Sequence, residues 1–182
     1  MIVSIDNNTL LRLRALEGTR IVRVVGRRYP NPPSYDHVQL ISGEGNITAV
    51  ELRTEDVSEK LEVSCVLARE AASATVSDRC DEILLADFRV DQVLVLRRAE
   101  WLEPLKHEVG TMGNNPELQR FGNPDDAPPW TTHALVDAGI MLVDERGSSL
   151  VLQAGTFPMV MQCHYSVSSA SICRGEARRL TE

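Results

Sequence analysis

Residues that could do chemistry are concentrated in residues 101–132 and at the border of that stretch. His107 and His133 lie near the adjacent carboxylates Asp125 and Asp126, and imidazole and carboxylate groups are ligands that zinc accepts. Any polar loop with histidine and aspartate offers the same combination, and a threonine stands where a zinc-protease helix needs its second histidine. We therefore expect no metal and no cofactor, and we treat the stretch as a candidate binding site.

The composition of residues 101–132 indicates an ordered loop that packs on the sheet and carries a binding site. It contains five prolines and three glycines without a periodic apolar pattern, and a loop of that length in a compact domain is usually functional or disordered. Both tryptophans of the chain lie near its ends, and disordered segments are normally poor in aromatic residues. The candidate binding residues are Trp101, His107, Phe121, Asp125, Asp126, Trp130 and His133.

The cysteines are predicted to be structural. Cys163 alternates with Met161 and Tyr165, and Cys65 lies between Val63 and Leu67, so both sit where a small buried hydrophobe fits. The sequence contains no phosphate-binding glycine loop, dinucleotide fingerprint, nucleophile elbow or C-x-x-C motif. We therefore predict no catalytic residues, and a protein that is not an enzyme is the better interpretation.

Two aspartates, Asp36 and Asp137, each precede a predicted hairpin. They would form a pair of carboxylates for acid–base chemistry only if the fold brought them together. The simpler role is to accept hydrogen bonds at the entry to a turn. The sequence leaves both interpretations open.

Length and charge restrict the class of protein. The 182 residues form a single domain, contain no apolar run long enough to span a membrane, and begin without an export signal, which predicts a cytoplasmic protein with reduced thiols. Twenty-six acidic residues against 19 basic ones give a net charge of −7. Since acidic surfaces repel phosphate backbones, we expect no nucleic-acid partner, no membrane partner, and a basic protein partner instead.

Apolar alternation predicts a mainly β fold. Period-two patterns recur at residues 20–28, 36–42, 47–54, 61–67 and 93–98, and three strands follow one another in residues 135–165. A short helix capped by a side chain of the run Asp6, Asn7 and Asn8 and ended near Gly18 precedes the strands. Residues 68–91 are ambiguous, since their pattern fits either a short helix or a buried strand.

The strands group into two similar units. Residues 19–68 and 90–166 each consist of a strand, a loop, an Asp-led hairpin that turns on glycine, and a strand that carries a cysteine. This arrangement predicts about eight strands in two four-strand units that form a sandwich or a partly open barrel, with a possible internal duplication. Unrelated hairpins also look alike, so independent origin is the alternative.

Three functions are compatible with these features. The first is a non-enzymatic protein-binding module, such as an inhibitor or an immunity-type protein that neutralises a basic partner. The second is a small-ligand-binding or enzymatic β-domain with a pocket under residues 101–132. The third is a structural subunit of a homo-oligomer that pairs through a second apolar face made of Met141, Val143, Val151 and Val160.

Overall fold

The computed structural model describes residues 1–28, 35–58, 61–75, 80–102, 118–121, 133–155, 160–166 and 176–180. These residues contain one helix, α1 (Asn7–Arg14), and eleven strands. The strands are β1 (Ile2–Val3), β2 (Arg20–Arg28), β3 (Tyr35–Ser42), β4 (Ile47–Ser58), β5 (Leu61–Glu70), β6 (Cys80–Leu102), β7 (Leu118–Phe121), β8 (His133–Asp144), β9 (Ser149–Ala154), β10 (Met161–Ser166) and β11 (Glu176–Arg179). The predicted mainly β fold is confirmed.

The predicted N-terminal helix forms with Asp6 as its N-cap, and it ends at Arg14 with Ala15 as its C-cap, before Gly18. Asp6 accepts a hydrogen bond from the Thr9 amide at 2.7 Å, and that bond lowers the pKa of the Asp6 carboxyl. After the helix, Gly18 adopts a φ of +79°. Thr9 then ties the helix to β5, because its hydroxyl accepts the Ala68 amide at 3.2 Å.

Within the described residues, no helix is both long and apolar enough to cross a membrane.

Six strands close a ring by backbone pairing. β8, β9, β10, β3, β2 and β6 are neighbours in that order, and β6 pairs again with β8. The closure depends on the length of β6, whose residues 80–89 pair with β2 and whose residues 90–101 pair with β8. The weakest junction is the single pair Met161–Tyr35 between β10 and β3. β4 and β5 branch from β3 as a long hairpin.

Residues 68–91, which the sequence left ambiguous, are mostly strand. β5 extends to Glu70, and β6 begins at Cys80. No helix forms in the described part of this stretch. The apolar run at residues 83–86 is therefore strand, but it is not fully buried, because Leu84 is 76% exposed.

Both predicted units are antiparallel meanders. In one, β2, β3, β4 and β5 pair consecutively; in the other, β6, β8, β9 and β10 do so. Gly45 and Gly147 occupy the same position of a five-residue turn, with φ of +86° and +81°. In each turn the first residue donates its amide to the carbonyl of the fifth residue at 2.9 Å. The two hairpins therefore share turn geometry.

The correspondence between the units does not extend to the residues that suggested it. Asp36 lies nine residues before Gly45, and the residue nine before Gly147 is Ala138 and not Asp137. Cys65 lies opposite Arg53 in the β4–β5 pair, whereas Cys163 lies opposite Leu152 in the β9–β10 pair. A common origin of the two units stays a prediction that rests on topology and turn geometry.

Both faces of the β6–β8–β9 sheet are buried. Alternate residues such as Val95, Ile140 and Leu152 belong to the main core. The intervening residues Met141 and Val151, on the other face, are only 8% and 0% exposed and pack together with Leu96. These two side chains are thus covered within one chain. At these two positions, the exposed apolar face that motivated the homo-oligomer hypothesis is therefore absent. Strands that are buried on both faces also read as apolar runs, so the sequence pattern does not distinguish the two cases.

We expect Gly139→Ala to destabilise the protein by about 1–3 kcal/mol, as overpacking of a core does. A Cβ atom at position 139 would lie 2.8 Å from the Leu152 carbonyl oxygen and 2.8 Å from the Gln153 Cβ. Two of the three nearest atoms are backbone atoms of the paired strand β9, and backbone atoms cannot rotate away as the end of a flexible side chain can. Urea unfolding measures the change in free energy.

Gly43→Ala is the matched control, since the nearest atom to its added Cβ is the Val22 side chain at 3.6 Å. Equal stability of the two variants would contradict the close approach of β8 and β9 at Gly139.

Candidate functional site

Three of the sequence-predicted binding residues lie in paired strands. Trp101, near the end of β6, is opposite His133 of β8 and also opposite Gln119 of β7. Phe121 of β7 is opposite Ala99. Residues 101–102 and 118–121 therefore belong to strands, although we predicted an irregular loop over residues 101–132.

The other four predicted binding residues, His107, Asp125, Asp126 and Trp130, lie outside the described residues. The predicted pocket beneath this segment stays a prediction. Where the structure describes the chain, no group of three or more His, Cys, Asp and Glu side chains is placed to hold a metal ion.

The two cysteines considered as nucleophiles sit in apolar surroundings. Cys65 is fully buried in the main core, and Cys163 packs against that core. Burial raises the pKa of each thiol to about 12. Because the thiolate is the reactive form, both positions are unsuited to nucleophilic chemistry, in agreement with the structural role predicted for them.

The two aspartates considered as a pair have separate partners. Asp36 accepts the His37 amide at 2.7 Å, and its carboxylate lies 2.8 Å from the His37 Nδ1 atom. Asp137 is buried, bonds to Arg97 at 2.7 Å, and accepts the Ile5 amide at 3.1 Å. Asp137 thus ties the N-terminal segment to β8, which is a structural role.

One edge of β6 is covered over only part of its length. β2 pairs with one edge of residues 80–89. The opposite edge is taken by β8 only from Val90 onward. For residues 82–86, which we call the open edge, no strand of the described chain pairs on that side. Edges of this kind present unpaired amide and carbonyl groups to another chain.

A local irregularity shapes the open edge. Leu84 lies opposite Arg23 of β2, and the next pair is Phe88 with Ile21, so three residues of β6 face one residue of β2. The Arg20 guanidinium donates to the Ala86 carbonyl at 2.9 Å within this bulge. Bulges are common at sheet edges, where they re-aim side chains.

The bulge leaves a large apolar side chain in solvent. Leu84 is 76% exposed, the highest value among the large apolar residues of the described chain, while the adjacent Leu85 is 4% exposed and packs in the core. Sequence reasoning missed this residue, because an apolar run of four residues does not reveal which member faces water. A single exposed leucine is ordinary, but here it lies on an edge that lacks a strand.

The charges near the open edge are mainly acidic. Between residues 81 and 91, β6 carries four carboxylates against one arginine, Arg89, for a net charge of −3. Glu82 forms an ion pair with Arg23 at 3.2 Å, and its side chain remains 46% exposed. Asp87 pairs with Arg146 and remains 54% exposed. Both carboxylates therefore keep oxygen atoms accessible to a further cation. The four carboxylates are Asp81, Glu82, Asp87 and Asp91.

Comparison with known proteins identifies no relative: no protein-family model, no curated protein and no solved structure matches the chain. The open edge of β6 is therefore the feature from which we infer a function.

We expect Cys65 and Cys163 to resist alkylation by iodoacetamide in the folded protein. With a pKa of about 12 for each thiol, only about one molecule in ten thousand is a thiolate at pH 8 by the tenfold-per-unit rule. Peptide mass mapping after labelling, with a urea-unfolded sample as the control, measures the modified fraction. Rapid labelling of either thiol in the folded protein would contradict its burial.

Proposed function

We propose that the protein is a protein-binding module that adds an extended, basic segment of a partner protein to the open edge of β6. In this mode the backbone of the partner supplies a new strand, and its alternate side chains supply specificity. The observation that carries the proposal is the exposure of Leu84 on an edge without a strand partner in the described chain. An inhibitor or an immunity-type protein that neutralises a basic partner would use binding of this kind.

The apolar contribution to such binding is substantial. Full burial of a leucine side chain is worth about 1.5–3 kcal/mol, and Leu84 has most of its surface still to bury. Since 1.4 kcal/mol corresponds to a tenfold change in affinity, this residue alone is worth about tenfold or more. An apolar residue of the partner strand that lies across from Leu84 would supply the contact.

The charge of β6 favours a basic occupant. Directly opposed residues of adjacent strands lie about 5 Å apart, so a bound strand would meet Glu82 and Asp87 first. Arg23 belongs to β2, which lies one strand further away, at about 10 Å from the new strand. That distance is comparable to the screening length in physiological salt. Pairing of two copies through this edge is disfavoured, because each would bring a net charge of −3.

We also propose that the protein acts in the cytoplasm. Cys65 and Cys163 are free thiols, and free thiols persist in a reducing compartment.

We expect Leu84→Lys to weaken binding of basic peptides about tenfold or more, through lost apolar burial and added charge repulsion. A phage-displayed library of short random peptides selected on the wild-type protein supplies the ligands. Fluorescence anisotropy then measures their affinity for each variant, and hydrogen exchange measures amide protection at residues 82–86.

Leu11→Lys is the matched control, because Leu11 is also a largely exposed leucine (62%) and lies on α1, away from β6. Both leucines are exposed, so we expect either change to alter stability by less than about 0.5 kcal/mol. Selected peptides that lack Lys and Arg, bind both variants equally, or leave residues 82–86 unprotected would contradict the proposal.

A further inference from the structure

A carboxylate, an imidazole and a hydroxyl group lie next to one another at β3. The Asp36 Oδ1 atom lies 2.8 Å from the His37 Nδ1 atom, and the His37 Nε2 atom lies 3.2 Å from the Thr75 Oγ1 atom. A carboxylate oxygen this close to Nδ1 favours the tautomer that carries its proton on Nδ1. In that tautomer Nε2 accepts from the Thr75 hydroxyl, which is the arrangement of a nucleophile with its general base.

The carboxylate end of this arrangement is fixed by further contacts. Asp36 Oδ1 also accepts the His37 amide at 2.7 Å, and Asp36 Oδ2 lies 3.5 Å from the Arg27 guanidinium. These contacts hold the carboxylate in place beside the ring.

The hydroxyl end is positioned by a buried side chain. Gln39, two residues beyond His37 on β3, is only 4% exposed. Its Oε1 atom accepts the Thr75 amide at 2.6 Å, and its Nε2 atom donates to the Ser73 carbonyl at 3.3 Å. The two Gln39 hydrogen bonds thus hold the backbone at Thr75 in place. The hydrogen bond between the Thr75 hydroxyl and His37 is not needed to position this segment.

The reacting atoms are within reach of solvent. The His37 side chain is 21% exposed, and Thr75 is half-buried. A small acyl compound can therefore approach the hydroxyl, whereas the Gln39 bonds that hold it remain covered.

We propose that Thr75 is an acyl-accepting nucleophile and that His37 is its general base, with small carboxylic esters as the substrate class. The Thr75 oxygen attacks the ester carbonyl carbon, and its proton passes to His37 Nε2. The C–O bond to the leaving group breaks, the alcohol leaves with that proton, and the acyl group stays on Thr75. Water then attacks the acyl group with His37 again accepting the proton, which releases the acid and restores the hydroxyl.

The probe for this activity is p-nitrophenyl acetate with the full chain. We expect release of p-nitrophenolate together with an acetyl group on Thr75, located by peptide mass mapping of the quenched wild-type protein. Thr75→Val, which keeps the shape and removes the hydroxyl, should abolish the adduct and lower the rate about a hundredfold or more. Thr75→Ser should retain the adduct, and His37→Gln should lower the rate by a similar factor.

Asp36→Asn tests the carboxylate as a positioning residue. It should reduce the rate about tenfold or more, because an amide does not hold the ring in the required tautomer. His164→Gln is the matched control for hydrolysis by any surface imidazole, since His164 is half-buried on β10. Thermal unfolding checks that each variant folds.

An adduct on Cys80 or elsewhere instead of Thr75 would overturn the proposal, and so would equal rates for wild type and Thr75→Val. Locating the acetyl group in the wild-type protein by peptide mass mapping tests the proposal even if a variant fails to fold. None of these outcomes bears on the open edge of β6, so the two proposals fail or survive separately.

Discussion

Continuous pairing along β6 is the constraint on which the rest of the structure depends. The first part of this 23-residue strand pairs with β2, and the second part pairs with β8. One strand therefore joins both meanders and closes the ring of strands. A strand that long must change neighbours, and at the change one edge loses its partner. The open edge is thus a consequence of how the ring closes.

Both faces of β8 are buried. Ile140 and Leu142 belong to the main core, and Met141, on the other face, packs with Leu96 and Val151, so the strand reads as a nearly continuous apolar run. Charged residues that enter this region are held by partners: Glu100 is fully buried and lies 2.7 Å from the Arg98 guanidinium, which also donates to the Ala154 carbonyl at 2.9 Å. The bonds from Asp137 to Arg97 and to the Ile5 amide attach the N-terminal segment in the same way.

The two proposed sites lie on the β3–β2–β6 part of the ring and use different properties of it. Binding at the open edge depends on unpaired backbone and on Leu84, whereas the Asp36–His37–Thr75 arrangement depends on side chains that Gln39 holds in place. A strand surface supplies rigid positions for both. A binding function and a weak acyl-transfer activity are compatible, because they share no side chain.

The sequence by itself determined the local structure. The Asp6 cap, the β-branched run of β2 and the positive-φ glycines Gly45 and Gly147 act over a few residues, so the helix, most strands and both hairpin turns were predictable. Only the tertiary structure decided which strands became neighbours, which apolar residue stayed in water, and which side chains met across the fold. Leu84 looks like its buried neighbours in the sequence, and Thr75 is 38 positions away from His37. Pairing between distant strands fixes both facts, and period-two patterns carry no information about such pairing.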